Sequence, residues 1–405
     1  MTSEGRKLSL YLGLSTSVTG FLQPFVPIYM LEAGLTKGQI GIVAGAGALL
    51  ALLIQPILGR LSDRFDARRP FVAGSAIAAA LAYLSFPYLH GMVAFLIAVA
   101  LGANAFMYMQ GVGGVLVGRL AAEGKGGATY ASYRFWGSVG YAMVATATAF
   151  TFTIHRDQVH GRDALDMIFK TGPLLFVVIA ALSFWLPDPK RPPSNKPAGG
   201  KAYISPNLRR FLAVDFLYII SLYGATQFIS IFLKQIGGST ALVSCVFLPG
   251  VIAEALVMRK SGAYSDHYGR RPVLAISYLL LPFRLLMYAV APAPGWVLAI
   301  QTLHGLNFGI VGAVAIAFVN DQADHETRGA LQAQLTLVTA SASAVGPMLM
   351  GNVADWFGLR TMFVVAAVLA AVALAVFLLF VDESNTHAKG SGIGWLDRRL
   401  LGKST

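Results

Sequence analysis

GRLSDRFDARRP, Gly59 to Pro70, packs four arginines and two aspartates into the gap between two apolar runs, 39–58 and 71–90. Each run is about 20 residues, enough for a helix to cross roughly 30 Å of hydrocarbon. The stretch therefore reads as a short polar loop between two membrane spans. The rest of the chain supports this. It is 405 residues long, 56% hydrophobic and 12% charged, with a mean hydropathy of +0.64, a balance unlike that of soluble domains.

Working outward, apolar runs recur at 8–30, 39–58, 71–90, 92–118, 133–153, 167–187, 211–233, 240–258, 272–292, 296–319, 329–354 and 361–381. The expectation is an all-α integral membrane protein with twelve transmembrane helices. No polar block between the runs is long enough for a folded soluble domain, and the first run lacks a small-residue cleavage site. Function is expected to reside in the bundle.

The net charge of +12 raises the question of nucleic acid, which the placement of the charges answers. With a cytoplasmic N-terminus, alternate loops on the cytoplasmic side carry 23 Lys and Arg, and the opposite loops carry five: Lys37, Arg156, Arg162, Lys234 and Arg360. That asymmetry follows the positive-inside rule with both termini cytoplasmic. Nucleic acid is thus not an expected partner. The lipid bilayer is, and the implied location is a multi-pass cell membrane, the inner membrane of a bacterium. Cys245 is the single cysteine, so no intrachain disulfide and no cysteine-rich metal site can form. No cofactor or metal is expected.

The opening stretch has a second copy. GAYSDHYGRRP, Gly262 to Pro272, again lies between the second and third spans of a set of six. Gly59 precedes Asp63 by four residues, as Gly262 precedes Asp266. An aromatic follows each Asp by two, Phe65 or Tyr268, and both copies end in Arg-Arg-Pro. The Pro-, Gly- and Lys-rich segment Leu186 to Arg210 separates the two sets and reads as a solvated linker. The expected organisation is two pseudo-symmetric six-helix bundles, 1–187 and 211–381, a linker at 188–210 and a cytoplasmic tail at 382–405. Such a repeat is the arrangement of transporters with a substrate site between halves.

These residues resemble the major facilitator superfamily, whose signature after the second helix runs roughly G-x-x-x-D-R-x-G-R-R. Gly59, Asp63 and Arg64 match in register, and Arg68 and Arg69 after one inserted residue. Asp66 stands where glycine is usual; the second copy keeps Gly269 and has His267 for the first arginine. The resemblance implies a conformational latch built of Gly59, Asp63, Arg64, Arg68 and Arg69 with Asp266, Arg270 and Arg271. Its Asp is expected to pair across the bundle and its arginines to face the cytoplasm. Carboxylates favour helix N-termini and can break and remake pairs as halves rock.

Ionisable groups at bilayer depth are costly unless paired or watered, so they should face an internal cavity. Four stand out: Arg134 in SYRFWGSVGYAM, Glu254 in PGVIAEALVM, Arg284 in LLLPFRLLMYA and His304 in IQTLHGLNFG. The blander readings are a snorkelling arginine for Arg134, a structural pair for Glu254 and Arg284, and a hydrogen-bonded core histidine for His304. Lys170 and Asp215 sit near helix ends and read as interfacial.

Together with GFLQPFVPI at Gly20 to Ile28 and RFWGSVG at Arg134 to Gly140, these positions are similar to the branch containing lactose permease and the phenylpropionate-type and nucleoside-type proton symporters. That resemblance implies Arg134 and Glu254 as substrate contacts, and Arg284 and His304 as proton-coupling residues beside Glu254. Three residues after the histidine, lactose permease has an acid and this chain has Asn307; helix 4 offers Gln110 but no acid. Proton coupling therefore falls to Glu254 or His304, the former if it approaches Arg284. Gln23, Trp136, Tyr141 and Asn307 complete the expected substrate contacts. Phe21, Phe25, Tyr223 and Gln227 are weaker candidates. The expected function is proton-coupled symport of a small organic solute, anionic or aromatic, by alternating access in a monomer. A proton-coupled exporter or passive facilitator is the alternative, although the Gly-Pro motif of drug antiporters is missing from helix 5. An intramembrane enzyme or receptor is a remote one: the chain has no H-E-x-x-H, no G-x-S-x-G and no phosphate loop.

Overall fold

The structure, a computed structural model, describes residues 3–65, 67–122, 130–154, 161–186, 203–324 and 326–385, and only the backbone of 118–122, 130–134 and 259. The described residues are helical and a helix lies over each of the twelve expected runs. The first is broken into α1 (Ser3–Leu22) and α2 (Val26–Glu32), followed by α3 (Lys37–Arg64), α4 (Arg68–Leu84), α5 (Gly91–Ala122) and α6 (Tyr130–Ile154). The sixth run holds α7 (Gly161–Thr171) and α8 (Leu174–Ser183). Beyond the midpoint come α9 (Pro206–Thr226) with α10 (Ile229–Gln235), and α11 (Thr240–Ser244) with α12 (Leu248–Tyr268). Then follow α13 (Arg270–Val290), α14 (Pro294–Asp321) and α15 (Arg328–Phe380).

Among the described residues nine helical stretches are long and apolar enough to cross a membrane. One of them, α15, has 53 residues, about 80 Å of helix, far more than one bilayer. Gly358 divides it with φ 80° and ψ 165°, a conformation that a Cβ would strain, so two spans meet there. α4 has 17 residues, and α1 carries Glu4, Arg6 and Lys7 in its first turns, which explains why neither meets the same test.

Several breaks have local causes. Pro24 and Pro27 flank the α1–α2 break, Pro173 begins α8, and Pro249 sits in the first turn of α12; each lacks the N–H that a continuing helix would use. The α9–α10 break after Thr226 has no proline, and nothing local in the sequence accounts for it. Broken helices are tolerated at membrane depth where the freed backbone groups line a cavity or find other partners.

Close packing follows from small residues, as in other membrane bundles. α1 lies on α6, where a Cβ on Gly140 would overlap the Gly13 carbonyl. In the second half α12 lies on α14 and α9 on α15. The halves meet where the first turns of α3 lie on α15: a Cβ on Gly41 would overlap the Pro347 carbonyl. At the same end the Asp355 carboxylate accepts hydrogen bonds from the Lys37 and Gly38 backbone N–H groups at 2.8 and 2.7 Å. A second seam joins α6 to α11, with the Cys245 thiol 3.6 Å from the Ala145 carbonyl oxygen.

Asp215 corrects the sequence reading. Only 1% exposed, it lies inside the second half and accepts a 3.4 Å hydrogen bond from Tyr278. Lys170 is exposed.

Candidate transport cavity

A cavity of about 590 Å³ lies between the halves, within the size range of small-molecule sites. It is bounded by α1, α3, α5 and α6 on one side and by α9, α10, α12, α14 and α15 on the other. Gln23 stands at the break after α1 and Gln227 at the break after α9, corresponding positions in the two halves, and both line the cavity. Two opposed amides, each with two donors and an acceptor, can hold a polar solute from both sides.

Gln23, Tyr141, Glu254 and His304 are on the wall, as the sequence suggested, and so are Tyr223 and Gln227. Glu254 is the one acidic side chain among the described wall residues. It is half-buried, and the close approach of α12 to α14 carries it in, since a Cβ on Gly305 would overlap the Glu254 backbone N. His304 is 8% exposed and lies against Phe308, with ring centroids 4.2 Å apart.

Two expected contacts fall elsewhere, and a third is not described. Trp136 is 42% exposed and off the wall; α6 presents Gly137, Ser138 and Tyr141 to the cavity, and Trp136 lies outside that face. Asn307 is fully buried behind the wall, where it accepts a 2.8 Å hydrogen bond from Arg284 Nη1 and donates one of 2.9 Å to the Ser277 carbonyl. The side chain of Arg134 lies outside the described residues. Phe25 is core, tilted against Phe152. The sequence had not singled out Thr16, Thr19, Ser230 or Phe247 on the wall. Short polar residues one helical turn apart on α1 were the available signal for Thr16 and Thr19, and it is a weak one.

Arg284 is also behind the wall, wholly buried. Its hydrogen-bond acceptor is Asn307 Oδ1.

The arginine loops lie at the opposite end from the α3–α15 seam. In the first copy Arg68 bonds Asp63 at 2.7 Å; Arg64 is exposed and Arg69 half-buried; Asp66 lies outside the described residues. In the second, Arg270 pairs with Asp266 and, at 2.9 Å, with Asp321. The backbone N–H groups of Arg270 and Arg271 donate to the Glu383 carboxylate at 2.8 and 3.0 Å. Gly269, at φ 101°, makes the turn that aims them there. Each of these pairs stays inside its own half.

A helical membrane bundle with a polar-lined cavity between its halves and a repeated arginine loop is the arrangement of a membrane transporter. Residues 6–365 match the model of the MFS_1 like family, and the chain belongs to it, within the major facilitator superfamily. It is 22% identical over 392 residues to the uncharacterized transporter YwbF of Bacillus subtilis, covering 95% of this chain and 94% of that one. A multi-drug resistance efflux pump PmrA homolog of Lactococcus lactis is 28% identical over 156 residues, 38% of each chain. Among solved structures, a mutant of the nucleoside transporter NupG superposes with a TM-score of 0.78 at 16% identity, over 94% of this chain and all of that one. The last is a likeness of fold.

Proposed function

We propose that the protein is a proton-coupled symporter of a small organic solute, working by alternating access as a single chain in the cytoplasmic membrane, with both termini cytoplasmic. The observation that carries this reading is the cavity between the halves, with Glu254, His304, Gln23 and Gln227 in its lining. A carboxyl group that faces an alternately watered cavity can load a proton on one side and release it on the other, because water access changes the stability of its charged form. The amides, Tyr141 and Tyr223 supply hydrogen bonds and apolar faces for a solute, and Arg134 is assigned to an anionic group on it.

With the arginine loops cytoplasmic, the α3–α15 seam closes the outer end, and rocking of the halves exchanges that seam for contacts at the loop end. The arginine clusters with Asp63, Asp266 and Asp321 then serve as the latch, and Arg284 supports the coupling region by holding Asn307. Export is the second reading, favoured by the partial identity to an efflux pump.

The test is uptake into proteoliposomes of a solute panel that begins with nucleosides, with and without an imposed pH gradient. Accumulation should require the gradient, and Glu254→Gln should abolish accumulation while leaving solute exchange. Proton-driven accumulation at the wild-type level by that variant would remove Glu254 from the mechanism, and expulsion of solute on acidifying the outside would establish export.

A further inference from the structure

At and behind the cavity wall, α13 and α14 bury a strip of five polar side chains. Arg284 and Tyr288 are one turn apart on α13; Gln301, His304 and Asn307 follow at three-residue steps on α14. Arg284, Tyr288, Gln301 and Asn307 are 0% exposed and His304 8%. The Arg284 guanidinium carbon is 5.8 Å from the Tyr288 ring centroid, and Nη1 bonds Asn307 at 2.8 Å. Several other polar atoms have no hydrogen-bond partner among the described residues: His304 Nδ1, both ends of the Gln301 amide and, apart from the Tyr288 hydroxyl beside them, Arg284 Nε and Nη2.

Two features of this strip go together. It is rich in donors: Arg284 Nε and Nη2 can only donate, while the Tyr288 hydroxyl, the His304 imidazole and the Gln301 amide can each donate or accept. It also holds a guanidinium, always charged, that no carboxylate among the described residues neutralises. Asp215, the buried acid of this half, is held by Tyr278, six residues or about 9 Å along α13 from Arg284. Water could fill the hydrogen bonds but leaves the charge uncompensated in a low-dielectric interior, where a lone ion is strongly disfavoured. An ion of opposite sign supplies both needs.

We infer that Arg284, Tyr288, Gln301 and His304 form a binding site for a compact monovalent inorganic anion, chloride or bromide, which is the counter-charge of Arg284. Access is from the cavity past His304, the member of the strip that also lies on the wall. The site makes thermal stability depend on halide, independently of the transported solute.

The experiment uses the purified full-length chain in detergent, without organic solute, at one ionic strength in sodium chloride and in sodium gluconate. Chloride should raise Tm by about 4 °C. Asn307→Asp is nearly isosteric and places a carboxylate on Arg284 Nη1, so it should raise Tm in gluconate and shrink the chloride effect to about 1 °C or less. A crystal grown in bromide should give an anomalous peak between Arg284 and Gln301. Equal Tm values in chloride and gluconate, a chloride effect unchanged in Asn307→Asp, or absence of bromide from the strip would each overturn the assignment. None of these readouts requires transport, so they stand or fall apart from the proposed symport.

Discussion

Asp355→Asn should loosen the end of the bundle where α3 meets α15. The carboxylate caps a helix in the opposite half: its two oxygens take the Lys37 and Gly38 N–H groups at 2.8 and 2.7 Å. Thr36 Oγ1 accepts from the Gln39 backbone N–H within the same capping box. Asparagine keeps one acceptor and turns an NH2 toward the second N–H, so one bond is lost and the charge at the helix N-terminus disappears. In a buried site the loss would be about 1.5–3 kcal/mol. Asp355 is exposed, so solvent reduces the figure to about 1 kcal/mol. Because the bonds exist only while the halves touch, this shifts the closed-to-open ratio of that end by roughly fivefold. Spin labels at Glu32 and Trp356, both exposed and on opposite halves, report it as a gain in the long-distance population by pulsed electron resonance. A population that moves by less than about twofold would show that the backbone bonds do not hold the end closed and that the small-residue seam does so alone.

Gly41→Val puts side-chain atoms where the Pro347 carbonyl lies; it should hold the same end open, slow transport at least about tenfold and, with Cys245→Ala and Ser230→Cys on the cavity wall, admit thiol reagents from outside, and a wild-type rate would refute the close approach. Asp321→Asn removes a carboxylate from Arg270, whose side chain is 10% exposed. Thermal denaturation should register a loss of about 2 kcal/mol, moderated by the remaining Asp266 partner; no change in Tm would make the cluster dispensable for folding. Trp136→Ala should leave the KM for solute within about twofold, since the ring is off the cavity wall. A larger rise would place Trp136 in the site after all.

The repeat of GRLSDRFDARRP in GAYSDHYGRRP, with the alternation of apolar runs and basic loops, was enough to reach a duplicated helical membrane transporter. Such signals are local and one-dimensional: span length follows from bilayer thickness and loop charge from topology. Membership of the cavity wall was less legible. Gln23, Tyr141, Glu254 and His304 were found, because a polar residue in an apolar span has few places to go. Asn307 has the same chemistry and sits behind the wall, three residues from His304. A 3.6-residue helical period separates those two side chains by most of a right angle, and only the packing of α13 on α14 decides which of them meets the cavity.

The sequence by itself determined that the chain spans the membrane as helices and that it is built twice over the same plan, and it picked out Glu254, Arg284 and His304, though not Asp215, as polar groups within the spans. The tertiary structure alone decided how charges are partnered: Arg284 with Asn307, Asp215 with Tyr278, Arg270 with Asp321, and Asp355 with the N-terminus of α3. Hydropathy records the cost of leaving a charge in oil, which depends on the residue alone, whereas the relief of that cost depends on which helix lies within 3 Å, and that is set by where glycines let backbones touch.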